Sequence, residues 1–242
     1  DDNGVVITES GTYIMSGTLS NGFIKVSAET DIKIQLVLDG VSIHNESGPA
    51  IYIQSADKVF ITLAEDSVNT LSDGTSYSAT DDSTNLDATL FSKEDLTVNG
   101  SGILNISGNY KHGIVSKDDL VITGGTINVT SVKVGLNGKD CVKIGGGTID
   151  IQAGSDGIRS DNSEDTSRGY IYIAGGNINI TSENDGIQAE TILKISGGTI
   201  TVSSGGGSEN ASANSSGEWN LSWKFAGGSL SESTSGTLEE SG

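Results

Sequence analysis

The stretch that decides the fold runs from Gly113 to Val202 and states one sentence four times. It reads GIVSKDDLVITGGTINVTS (Gly113–Ser131), then GLNGKDCVKIGGGTIDIQA (Gly135–Ala153). The third copy, GIRSDN (Gly157–Asn162) and YIYIAGGNINITS (Tyr170–Ser182), is interrupted by SEDTSRG (Ser163–Gly169). The fourth is GIQAETILKISGGTITVSS (Gly186–Ser204). The openings at Gly113, Gly135, Gly157 and Gly186 are 22, 22 and 29 residues apart, the last step being the same period plus seven. A fixed period of this size marks stacked units, none of which can bury its apolar face alone.

Within a copy the apolar residues alternate, as in Leu120 and Ile122 or Ile127 and Val129, and a period of two means strand. Gly124-Gly125 recurs as Gly146-Gly147, Gly175-Gly176 and Gly197-Gly198, so the backbone turns sharply at one fixed place. Three short strands with corners every 22 residues describe an all-β protein, a parallel β-helix. Crossovers between parallel strands are right-handed in about 98% of cases, so a right-handed coil is expected. The L-x-x-L-x-L-x-x-N pattern of a leucine-rich repeat and the G-G-x-G-x-D pattern of a calcium roll are both missing.

Working outward, Phe23–Val26, Ile32–Leu38 and Val41–Ile43 read as one looser coil, and Ala50–Ile53 with Val59–Leu63 as another. Leu90–Ile106 is a full coil. Ile14 and Met15 are expected to begin an apolar lid on the first coil. Asn69–Ala88 is polar and does not alternate, so it reads as a loop leaving the coil, with Asp73, Asp81, Asp82 and Asp87 as turn formers and solvated charge. The chain therefore divides into a β-helix over 1–203 and a Ser/Gly/Glu-rich segment over 204–242, packed on the last coil or serving in part as a linker. There Trp219, Trp223 and Phe225 read most simply as a cover for the open end, and more sharply as an aromatic platform for sugar rings.

Composition bounds the function. The 242 residues carry 32 acidic and 13 basic side chains, a net charge of −19, which excludes the basic footprint of a nucleic-acid binder and favours metal cations. No apolar run approaches the ~20 residues that span a bilayer. The first residues read as a trimmed mature start. The single cysteine, Cys141, is an inert corner thiol by expectation.

Stacking turns sequence columns into rows about 4.8 Å apart. One polar row is Thr126, Thr148, Asn177 and Thr199, beside Asn128, Asp150, Asn179 and Thr201. It reads first as a ladder bonded along the stack and second as a flat face for an extended polysaccharide. The pair before each opening glycine is Lys111-His112, Lys133-Val134, Ser155-Asp156 and Asn184-Asp185. The row that follows four residues after the glycine reads Lys93-Glu94, Lys117-Asp118, Lys139-Asp140, Asp161-Asn162 and Glu190-Thr191. Asp156 and Asp185 thus fall on neighbouring coils, near the strands that end in Asp161 and Glu190. Hard oxygen ligands so spaced suit Ca²⁺, whereas no Cys/His cluster suggests zinc. His44 and His112 read as isolated surface or capped residues. No nucleophile elbow, His/Ser/Asp set or phosphate loop is visible.

In combination, GNYKHGIVSKDDLVITGGTINVT (Gly108–Thr130), GSDGIRSDNSED with SRGYIYIAGGNINIT, NDGIQAETILKISGGTITV (Asn184–Val202) and VFITLAEDSVNTLSDG (Val59–Gly74) resemble the bacterial secreted carbohydrate-binding β-helix family, pectate-lyase-like in fold. The resemblance covers about Val5–Val202. It implies a secreted or cell-surface protein that binds Ca²⁺ together with plant cell-wall polysaccharide, both polygalacturonate (pectin) and cellulose, rather than cleaving it. Its D-G-I corners map to Asp156-Gly157-Ile158 and Asp185-Gly186-Ile187, with the following acids at Asp161 and Glu190. The S-K-D-D segment maps to Lys117-Asp118-Asp119 and G-K-D to Lys139-Asp140. Lys133-Val134-Gly135-Leu136 departs from the family's D-D-G-I.

The expected metal ligands are Asp118, Asp140, Asp156, Asp161, Asn184, Asp185 and Glu190. An acidic protein must offset repulsion from an acidic polymer, and Lys111, Lys117, Lys139 and Arg159 cluster where they could hold it. A monomer is expected. The alternative is a polysaccharide lyase working by Ca²⁺-assisted β-elimination with a Lys or Arg base, and a third class is a surface spacer.

Overall fold

The computed structural model describes residues 4–78, 85–205 and 229–232. Among them the regular elements are strands, with no helix. One sheet of eight strands runs the length of the coil stack, from Gly4–Ile7 through Phe23–Ser27, Ile51–Ser55, Ala88–Ser92, His112–Ser116, Leu136–Gly138 and Ile158–Ser160 to Ile187–Ala189. The second sheet supplies two strands per coil. It is continuous round a bend because Lys33–Asn45, thirteen residues long, pairs through its first half with Lys58–Leu63 and through its second with Val68–Asp73. These pairings are parallel, so the chain is a parallel β-helix with three strands to a coil.

The register makes the sequence columns physical. Ile114, Leu136, Ile158 and Ile187 stack in one sheet. Leu120, Val142, Ile171 and Leu193 stack in the second, and Ile127, Ile149, Ile178 and Ile200 beyond its bend. All but Ile187 and Leu193, in the last full coil, are buried, and these columns fill the lumen. At the corner between the two strands of the second sheet, the second glycine of each pair has positive φ, 98° at Gly147 for example, a region that L side chains rarely enter.

Three sequence expectations meet the structure here. Met15 packs against the core, but Ile14 is 73% exposed, because neighbours on a strand face opposite ways. Residues 69–73 are not loop. Val68–Asp73 is a strand paired on both sides, with Asn69, Leu71 and Asp73 facing in and fully buried. The excursion that follows then folds back, so that Tyr77, Leu86 and Ala88 pack on Tyr52, Phe91 and Val115 along the eight-stranded sheet. Asp87 within it is buried rather than solvated; Asp81 and Asp82 lie outside the described residues. So do Trp219, Trp223 and Phe225, although Ser229–Glu232 adds a parallel strand to Thr199–Ser204.

Candidate functional site

The outward column of the eight-stranded sheet reads Lys25, Tyr52, Phe91, Val115, Asn137, Arg159 and Gln188. The excursion covers its middle, Tyr52 to Val115. Beyond that wall the face becomes polar and cationic. The Arg159 guanidinium lies 3.5 Å from Asp156 and 3.1 Å from Asp161, joining through itself two acids at opposite ends of the strand Ile158–Ser160. Lys117 lies 5.4 Å from the Phe91 ring centroid and Lys111 4.8 Å from that of Tyr110. Asn137 is 5% exposed, yet its Oδ1 has no partner; Arg159 Nε and Asp87 Oδ1 are equally buried and unpartnered. A buried polar atom left unpaired costs about 1–3 kcal/mol, so such a group of them keeps polarity that folding alone does not use.

His112 stands at the foot of the wall. Its Nδ1 accepts from the Val134 N–H at 3.1 Å, and its Nε2 faces Asp87 Oδ2 at 3.9 Å. Burial, followed by the charges of Arg159, Lys117, Lys111 and Lys133, lowers its pKa to about 4. The ring is therefore neutral at pH 7, and the approach to Asp87 is not an ion pair there. Burial pushes the Asp87 carboxyl up, against the pull of Lys117, Lys111 and Arg159.

The corner after these strands is acidic. Carboxylate oxygens of Asp95, Asp118 and Asp119 lie within 4.8 Å of one another, and among the described residues this is the group in which three such ligand atoms converge. Burial and then the neighbouring Asp95 and Asp119 raise Asp118. Burial works to raise Asp119 too, but hydrogen bonds from the Cys141 thiol and from Lys143, at 2.9 Å, win and hold it low. Lys58 approaches Asp95 at 3.4 Å. Cys141 is buried and its thiol pushed up to about 12, first by burial and then by Asp119, which makes it inert.

The expected ligands divide between two corners. Asp118 joins the triad, whose other members, Asp95 and Asp119, are not among the expected ligands, Asp119 standing only in the S-K-D-D segment. Asp140, next in the column, is closed by Arg168 and Asn162. Lys139 borders the same polar cleft beside Lys117 and approaches Glu164 at 4.0 Å. Glu190 is exposed further along that side. At the opposite corner Asp156 and Asp185 stand on neighbouring coils, the Asp185 N–H donating to Asp156 Oδ1 at 3.3 Å, and Asn184 reaches Ser155 Oγ at 3.1 Å. The Asn ladder is bonded along the stack, Asn128 to Asn105 and Asn179 to Asp150, both at 2.8 Å.

Known proteins share the fold and the family. A polysaccharide lyase-like protein from C. thermocellum, solved as a gadolinium derivative, superposes with a TM-score of 0.83 at 36% identity, covering 96% of this chain and 88% of that one. A carbohydrate-binding domain-containing protein of Acetivibrio thermocellus is 42% identical over 126 residues, 52% of this chain and 44% of that protein, so the match spans less than half the relative's length. The family model for carbohydrate-binding domain-containing proteins matches residues 1–236, and the chain belongs to that family.

Proposed function

We propose that the protein binds plant cell-wall polysaccharide without cleaving it, foremost an acidic chain of the polygalacturonate type, with cellulose as a second polymer, and that Ca²⁺ takes part. The observation that carries this reading is the buried, unpartnered Asn137 Oδ1 and Arg159 Nε, on a face where the charges of Arg159, Lys117 and Lys111 all bear on His112. On a chain of net charge −19, cations gathered on one open face offset the repulsion that a uronate polymer would meet elsewhere. Arginine has no acceptor atom, and Arg159, paired with two carboxylates, serves as a positioned cation rather than the base a lyase needs.

The fit to Ca²⁺ is partial and local. Asp95, Asp118 and Asp119 offer convergent hard oxygens, and Asp118 has its charge crowded by the other two, a strain that a dication would relieve. Three oxygens leave the rest of the 6–8 to water or substrate carboxylate. The structural relative was solved with gadolinium, itself a hard, oxygen-seeking ion.

Retention on pectate gel and on insoluble cellulose, with and without chelator, tests the proposal. Pectate retention should fall with chelator and in Lys111→Ala and Lys117→Ala. A protein retained on neither polymer is not a cell-wall binder, and a rise in ultraviolet absorbance from unsaturated products would make it a lyase.

A further inference from the structure

The excursion divides the outer face of the eight-stranded sheet, and its far side holds a second concavity. A cleft of ≈ 670 Å³ opens between the first coils and the excursion, lined by Phe23, Lys25, Pro49, Tyr52, Tyr77 and Leu86 among others. Phe91 and Val115 separate Tyr52 from Asn137 in the column, so this cleft and the cationic face are distinct.

Its aromatic rings are held in place from behind. Phe23 lies over Gly4, where a Cβ would come within 2.4 Å of the ring. Tyr52 meets Phe91 edge-on, at 6.0 Å and 64°. Tyr77 stacks on Tyr110 at 4.5 Å, with its hydroxyl donating to Asp73 at 2.6 Å. Among the described residues of the lining there is no carboxylate, and the cation there, Lys25, stands 5.6 Å from the Tyr52 ring centroid. Aromatic faces match the C–H faces of pyranose rings, while the ammonium and the hydroxyls of Ser47 and Ser78 can meet sugar hydroxyls. The volume lies in the range of ligand clefts with mostly apolar walls and a few polar groups.

We propose that this cleft is a second sugar site, taking neutral pyranose rings of a polysaccharide chain; this rests on the carbohydrate-binding reading of the protein. Charged uronates go to the Arg159 side of the wall, neutral rings to the Tyr52 side.

Calorimetric titration of the full chain with cellohexaose and, separately, with a galacturonate hexamer tests the assignment. Phe23→Ala should weaken cellohexaose by about ten-fold or more, the loss of one stacking face, and leave the galacturonate hexamer unchanged. Lys25→Ala, which leaves the aromatic packing in place, should weaken cellohexaose in the same direction. The site is overturned if the wild type does not bind cellohexaose, or if both variants bind it as the wild type does. Loss of galacturonate binding alone would sink the acidic-polymer proposal and leave this one standing.

Discussion

Arg168 closes on the Asp140 carboxylate from 28 positions further along the chain. It belongs to the seven residues, Ser163–Gly169, that lengthen the third repeat. Asn162 starts that turn, its Oδ1 accepting from the N–H groups of Glu164 and Asp165 at 3.0 Å while its amide nitrogen donates to Asp140. The insertion thus delivers a cation of the protein's own into an acidic corner. Asp118, one coil back, lies against Asp95 and Asp119 instead.

Replacing Arg168 by Gln should therefore do two opposed things. Without metal the fold loses about 1–2 kcal/mol, since Asp140 is buried but Arg168 is half exposed and screened. With metal, Asp118 and the freed Asp140 should bind Ca²⁺ roughly ten-fold more tightly, one competing charge having gone. Calorimetry with Ca²⁺ reads the second effect; an unchanged affinity would remove Asp140 from the ion's surroundings.

The pH dependence has a definite sign. His112 has its folded pKa lowered to about 4 from 6.5, so its contribution is intact above pH 6.5 and is lost as pH falls towards 4. The linkage is at most about 3 kcal/mol. Asp73 and Asp87, raised chiefly by burial, act the other way: acidification protonates them and relieves a penalty. His112→Asn, which can keep an acceptor for the Val134 N–H, should leave only that relief. Its melting temperature should fall less than the wild type's between pH 6.5 and 4. Parallel melting curves would mean that His112 does not titrate in this window.

How much of this was legible follows from what each residue faces. The four late coils were readable because their inward positions are Ile, Leu and Val, and the register pairs the columns the repeat implied. The strand Val68–Asp73 was not, because two of its three inward positions are polar. Asn69 is satisfied there by four bonds, accepting from the Gly40 and Val41 N–H groups and donating to Ser67 Oγ and Ile103 O. A search for alternating hydrophobicity passes over such a strand. Asp95 and Asp119 could have been found by reading the column one place beyond Glu94 and Asp118. Arg168 could not, since an insertion has no column.

The opening glycines answer to close approach rather than to turning. A Cβ on Gly157 would lie 2.3 Å from Ile180 Cγ2 and 2.6 Å from the Gly186 carbonyl oxygen. The carbonyl cannot yield without separating two coils, and Ile180, buried in the same coil, only by disturbing the packed lumen. Gly157→Ala should cost about 3 kcal/mol in urea unfolding. Gly40→Ala, at φ +79° with nothing within 4 Å of the new methyl, should cost only about 1–2 kcal/mol of backbone strain. Equal losses would show that strain, not space, sets the requirement.

The excursion hangs on Asp73, and this yields the sharpest test of the wall between the two faces. Asp73 is fully buried; its Oδ2 accepts from the Tyr77 hydroxyl and its Oδ1 from the Asn109 N–H, both at 2.6 Å. Burial outweighs these bonds and raises its pKa. Tyr77→Phe removes one bond, so the folded carboxyl should rise further above its unfolded value. The resulting penalty applies in full above the folded pKa and fades as pH falls through it. Tyr77→Phe should thus lose about 2 kcal/mol at pH 7, as for a bond to a charged group, and clearly less at pH 4. Exchange of the Asn109 amide hydrogen should quicken in step. A loss equal at both pH values would mean that Tyr77 holds the excursion by stacking on Tyr110, not through the Asp73 carboxylate.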